Sequence, residues 1–154
     1  MRGTFGPAVC VRGVLMEKIL VSACLCGFAC RMDGKSRPDE YVTQLYREGT
    51  ALPVCPEQEG GLPTPRDPAE QVGDRVLTRH GVDVTAQYRE GARICLQKAI
   101  DAGCRRAILK SKSPSCGVGM VHNGRFDGGL VPGGGVFARM LKDHGIECMT
   151  EKDV

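Results

Sequence analysis

An α/β fold is predicted: a single-domain, mostly parallel sheet with helices on both faces (Rossmann-like), plus small β-hairpins. Three observations lead there. Short aliphatic runs without alternation recur along the chain, as expected of strands buried on both faces. Segments with apolar residues at helical spacing separate them, so strand and helix alternate. The length of 154 residues suits one domain with a hydrophobic core and is too short for two ordinary ones.

The elements follow in order. "MRGTFGPAVCVRGVL" contains three glycines, one proline and no sustained period. Residues 1–15 are therefore expected to be an N-terminal extension outside the fold, with Met16 as the functional start and residues 16–154 as the domain. Lys18 to Ala23 is an unalternating run suited to a central strand. Asp39 to Glu48 carries Tyr41, Val42, Leu45 and Tyr46 at helical spacing and stops at Gly49. Ala51 to Val54 is a short second strand. "GGLPTPRDPAEQVG", with three prolines and three glycines, is expected to be one long loop. Val76–Thr78 and Val82–Val84 read as a hairpin about "RHG". Thr85 to Ala102 reads as a helix with Tyr88, Ala92, Cys95, Leu96 and Ala99 on one face and Gly103 behind it. Arg106 to Leu109 is a third buried strand, and "VHNGRF" reads as a hairpin turning at Asn123-Gly124. A last helix presents Val136, Phe137, Met140 and Leu141, and Ile146 to Met149 closes the chain as a strand.

Composition narrows the function. The chain is 42% hydrophobic and 25% charged, and no apolar run approaches the ~20 residues of a membrane span. Its 21 basic and 18 acidic residues, formal charge +3, are interspersed without a basic block, which argues against nucleic acid and supports only a weak preference for anions. Nine cysteines, an odd number with no secretory signal ahead of them, point to the reducing cytoplasm. There, clustered thiols serve as metal ligands or reactive groups more often than as disulfides.

In open α/β sheets, ligands bind beyond the carboxyl ends of the strands. Cys24, Cys55 and Cys116 each follow a predicted strand, so the topology is expected to bring them to one edge although no local motif links them. Cys95, Cys104 and Cys148 read as core thiols and Cys10 lies in the N-terminal extension; Cys26 and Cys30 are either spare thiols beside the site or, the favoured reading, cover for the core beneath their loop. Three thiolates suit zinc with an open fourth position or an iron–sulfur cubane with one open iron, and spacing does not separate the two.

Taken together, "ILVSACLCGFACRMDGKS", "PVCPEQEGGLPTPRDPAE" and "LKSKSPSCGVG", followed by "GRFDGGLVPGGGVFARMLKDHGI", strongly resemble the thiouracil desulfidase family, from about Glu17 to the C-terminus. The resemblance implies a 4Fe-4S cluster held by Cys24, Cys55 and Cys116. Its fourth iron would be open to take the sulfur of a small thiolated pyrimidine and release it as sulfide. It also implies dependence on cluster-assembly machinery and a role at the substrate for Glu57 of the "CPE" segment and Ser113 of "SPSC". Cys26, where relatives commonly carry leucine, is a departure that leaves the three ligand positions untouched. Chemically, Glu57 could exchange a proton with a ring nitrogen or the attacking water, and Ser113 could donate to a developing oxyanion or simply cap its loop. Asp33-Gly34 reads as a turn; Arg66 and Lys110 are either solvated charges or groups orienting a polar substrate.

Two other readings stay open at this level. The thiols could hold zinc or a cluster as a structural plug, with the "PGGGVFA" helix start contacting phosphate in a nucleotide- or RNA-binding module. Alternatively, Cys116 or Cys26 could carry a persulfide during tRNA thiolation.

Overall fold

The structure is a computed structural model that describes residues 8–11 and 14–154, with side chains from Glu17 onward. The chain begins with β1 (Ala8–Val11) and β2 (Val14–Glu17), an antiparallel pair that joins no strand of the central sheet among the described residues. Residues 1–7, 12 and 13 of the expected extension, and the Cys10 side chain, lie outside the described ones. Then come β3 (Ile19–Ser22), α1 (Glu40–Arg47), β4 (Ala51–Val54), the single-turn α2 (Pro56–Glu59), β5 (Ala69–Val72) and β6 (Arg75–Thr78). The remainder is α3 (Thr85–Asp101), β7 (Arg106–Leu109), β8 (Met120–His122), β9 (Leu130–Pro132), α4 (Val136–Asp143) and β10 (Glu147–Thr150).

β10, β7, β3 and β4 form, in that order, one parallel sheet. β3 is buried at every position, and the two-residue period of a strand divides its side chains between two cores. Leu20 joins α3 and α4 through Ala92, Cys95, Ala99, Phe137 and Leu141. Ile19 and Val21 join α1 through Val42 and Leu45 on the other face. Each large side chain fully buried here contributes roughly 1.5–3 kcal/mol of transfer free energy. The sheet order runs one way from β3 to β4 and the other way from β3 to β7, so the topological switch point lies at the carboxyl ends of β3 and β7, where α/β sheets bind ligands.

The helices follow their sequence signals closely. α1 starts one residue later than expected because Asp39 is its N-cap, accepting from the Val42 N–H at 3.1 Å. The two hairpins depart from expectation. The first is built from β5 and β6 and turns at Gly73-Asp74, so residues 69–72 belong to a strand and not to the long loop; Val82–Val84 supplies only an isolated bridge from Asp83 to Leu77. The second, β8–β9, does not turn tightly at Asn123-Gly124 but through residues 123–129, because the Asn123 and Asp127 side chains bind the loop's own backbone N–H groups. α2 went unforeseen: Pro56 occupies its first turn, where a missing N–H costs nothing. It packs so tightly on α3 that a Cβ at Gly91 would sit 1.7 Å from the Pro56 carbonyl oxygen.

Candidate active site

Three loops meet at the carboxyl edge of the sheet. Cys24 lies in a 3-10 turn (Ala23–Cys26) directly after β3. Cys55 follows β4 and is the N-cap of α2, which places Glu57 in the first turn. Cys116 sits in the loop after β7. All five of the predicted site residues, Cys24, Cys55, Cys116, Glu57 and Ser113, line one cavity of about 510 Å³.

Cys30 lines the same cavity, the less favoured of its two readings, whereas Cys26 does not and packs beneath the loop as expected. Cys95 and Cys104 are buried in the core, and Cys148 packs against it, all away from the cavity.

The thiols perturb one another. Hydrogen bonding with Cys30 and then burial raise the Cys55 thiol well above its ordinary range. Cys30 is pushed up to about 11, first by its hydrogen bond with Cys24. Burial pushes Cys116 up to about 12, against hydrogen bonds from Ser22 and Ser115. Such thiols keep their protons at neutral pH and release them only to a strongly electropositive centre.

That bears on which cofactor the residues fit. Among the described residues no three His, Cys, Asp or Glu side chains stand close enough together to ligate one metal ion. The sulfur donors Cys24, Cys30, Cys55 and Cys116 are instead spaced around a roomy cavity. A set of thiolates is the ligand chemistry of a multinuclear iron–sulfur cluster, and the residues fit such a group.

Glu57 is held in place by Arg66, whose Nε donates to its Oε1 at 2.8 Å; their side chains are 14% and 7% exposed. Arg66 also donates to the carbonyls of Cys30 and Pro63 and to Thr64 Oγ1, so one guanidinium ties the Cys30 loop to α2. Burial acts to lower the Arg66 pKa, but the neighbouring carboxylate outweighs it and the cation is reinforced. Tyr88 of α3 lines the cavity, and burial, followed by the Glu57 charge, holds its phenol protonated.

Ser113 Oγ accepts from the backbone N–H groups of Ser115 and Cys116 at 3.1 and 3.0 Å, which caps the turn that presents Cys116. Neither bond uses its hydroxyl hydrogen. Asp33-Gly34 is the turn expected, with Asp33 accepting from Lys35 N–H. Arg66 and Lys110 both line the cavity and both are ion-paired: Arg66 is engaged as above, and Lys110 Nζ lies 3.1 Å from Glu151 Oε2. The glycine-rich start of α4 has no donors to offer a phosphate, because Val136, Phe137 and Ala138 N–H groups donate to the carbonyls of Pro114 and Ser115. Gly135 is needed there, since a Cβ would lie 2.4 Å from the Ser115 carbonyl. This helix start grips the Cys116 loop instead. Two non-glycine residues with left-handed backbones, Lys112 (φ 68°) and Phe126 (φ 56°), both line the cavity. His122 lines it too, and its Nδ1 is buried with no hydrogen-bond partner.

A parallel α/β domain that gathers strand-end thiols, a clamped carboxylate and a serine into one cavity defines an enzyme centre built on sulfur donors. The chain belongs to the 2-thiouracil desulfurase family, whose model matches residues 19–153. Its fold is close to that of the solved [4Fe-4S]-dependent thiouracil desulfidase TudS, with a TM-score of 0.85 and 46% identity over 90% of this chain and 93% of that one. It is also 40% identical over 146 residues to the uncharacterised protein YbbK of Bacillus subtilis (strain 168), covering 88% of this chain and 97% of YbbK. Homology to TudS makes this protein an enzyme.

Proposed function

We propose that this enzyme removes the sulfur of a thiolated pyrimidine, thiouracil-like and either free base or nucleoside, giving the oxo compound and sulfide. The observation that carries this reading is the presence of Cys24, Cys55 and Cys116, from three separate strand ends, in one cavity beside Glu57 and Ser113. These three thiolates would hold a 4Fe-4S cluster, which when bound with one iron open supplies a Lewis acid with affinity for thiocarbonyl sulfur.

The chain's own groups then have distinct tasks. The exchange is C=S plus water to C=O plus hydrogen sulfide, without a change of oxidation state. Glu57, kept in place by Arg66, takes a proton from the attacking water at Oε2, the oxygen that Arg66 Nε does not engage. Ser113 donates its unused hydroxyl hydrogen to the water-derived oxygen as that oxygen loses its second proton and becomes the carbonyl. Tyr88 and the apolar residues around it limit water to the reacting face.

Cluster loading would depend on cluster-assembly machinery, and the eight described cysteines, all free, suit a reducing cytoplasm. No helix among the described residues is long and apolar enough to cross a membrane.

Anaerobic preparation should give a brown protein with about four irons and four sulfides per chain that converts thiouracil to uracil. Stoichiometric zinc with no iron, or a trappable persulfide without a cluster, would replace this reading with a structural plug or a sulfur carrier.

A further inference from the structure

We propose that Phe126 is a stacking surface for a planar heteroaromatic ring in the cavity, and that Glu70 is the positioning residue that holds it there; this rests on the desulfidase reading for the identity of the ring. A phenylalanine with φ of 56° is an outlier, since left-handed backbone is disfavoured for bulky side chains. The conformation is maintained by its surroundings. Glu70 of β5, only 7% exposed, uses Oε1 to accept from the backbone N–H groups of Gly124 at 2.9 Å and Phe126 at 3.2 Å. Asn123 and Asp127 close the loop on either side, with Asn123 Nδ2 donating to Asp127 Oδ1 at 2.9 Å.

The result is an aromatic ring that lines the thiol cavity and stays half-buried there, not folded into the core. The Arg79 guanidinium lies over the ring, 5.6 Å from its centroid, and the Arg79 backbone N–H donates to the Pro68 carbonyl. A guanidinium over an aromatic face is a cation–π contact that helps to hold the ring in position. A buried carboxylate spent on holding two loop N–H groups has no evident use for the core, because the loop itself buries little. It makes sense as a means of aiming the ring.

The test uses the full chain with its cluster and a ligand that is not turned over, uracil. Phe126→Leu should weaken uracil binding and raise KM for thiouracil by about 10-fold each, while kcat and the cluster's visible absorbance stay near the parent's. Phe126→Tyr, which keeps the ring face, should restore both to within about 2-fold of the parent. Glu70→Leu should show the binding loss of Phe126→Leu with Phe126 intact. If Phe126→Leu loses its colour, the parent alone decides: 5,6-dihydrouracil keeps the polar edge of uracil but not its planarity, and should bind about 10-fold more weakly. Equal binding of uracil by parent and Phe126→Leu, or of uracil and dihydrouracil by the parent, overturns the proposal, as does a parent that binds no uracil. A parent that binds uracil with these ratios yet leaves thiouracil unchanged would sink the desulfidase reading and leave the stacking surface standing.

Discussion

The strand-end loops and the two hairpins line the same cavity but are held there by different forces. Cys24 and Cys55 follow within two residues of β3 and β4, and Cys116 sits in the loop after β7, held by the Ser113 cap and the start of α4. Cys24 and Cys116 are themselves part of the buried core clusters. The hairpins β5–β6 and β8–β9 join no other named strand, adding only isolated bridges from Leu77 to Asp83 and from Val121 to Lys112, and β9 is exposed throughout. They are fastened by a small apolar cluster of Val76, Val84 and Tyr88 and by polar contacts, such as Gln71 Nε2 to the Gly134 carbonyl at 3.0 Å and Arg139 Nη1 to Gln71 Oε1 at 2.8 Å. The difference teaches that the proposed reacting groups stand at the carboxyl edge of the central sheet, whereas the proposed stacking surface sits on a peripheral hairpin loop.

The largest expected effect is at the sheet edge. Cys116→Ala should abolish both colour and turnover, because one of the three proposed protein ligands would disappear while the β7 loop remains gripped by α4; a brown, active variant would remove Cys116 from the ligand set. Glu57→Gln should keep the iron content and lose about 10²- to 10⁴-fold in kcat, since the amide preserves the Arg66 contact but cannot take a proton. Turnover near the parent's would transfer the proton to Ser113 or water.

A smaller effect concerns stability at the end of β7. Burial acts to raise the Glu151 pKa, but bonds from Ser111 N–H and Ser111 Oγ and the nearby Lys110 overcome it, so the folded-state value lies below the ordinary 4.5. The folded protein thus binds fewer protons than the unfolded chain as Glu151 titrates, and its stabilisation is complete above pH 4.5 and lost as pH falls through the folded value. Glu151→Gln should cost about 2 kcal/mol at pH 7 in denaturant unfolding, with the gap to the parent shrinking below about pH 4.5. A gap that widens in acid would contradict the assignment.

The smallest effect tests the least attached part. We propose that residues 1–15 are dispensable, since among the described residues β1 pairs only with β2. A chain beginning at Met16 should keep its iron and its turnover, with unfolding free energy within about 0.5 kcal/mol of the full chain. Loss of the cluster on truncation would show that the arm supports the site.

What could be read in advance divides along the same line. The β3, β4 and β7 strands, α1, α3 and α4 were legible because each buries a continuous stripe whose period is written in the residues themselves. The three thiols were legible because a residue that follows a buried parallel strand must lie at the carboxyl edge, whatever its distance along the chain. The hairpins were misjudged because their registers depend on side-chain bonds within the turns, such as those of Asn123 and Asp127, that compete with a tight two-residue turn.

The sequence alone determined a parallel α/β sheet with cysteines at three strand ends, since hydrophobic period and strand connectivity are local properties that topology converts into position. Only the tertiary structure decided how those cysteines are surrounded. That Arg66 pairs with Glu57, that the glycine-rich start of α4 grips the Cys116 loop, and that Cys30 and Phe126 line the cavity all depend on contacts between segments separated in the chain. Charge, glycine content and aromatic character are visible in a sequence, but a partner is chosen by distance and burial, and those exist only once the segments have packed.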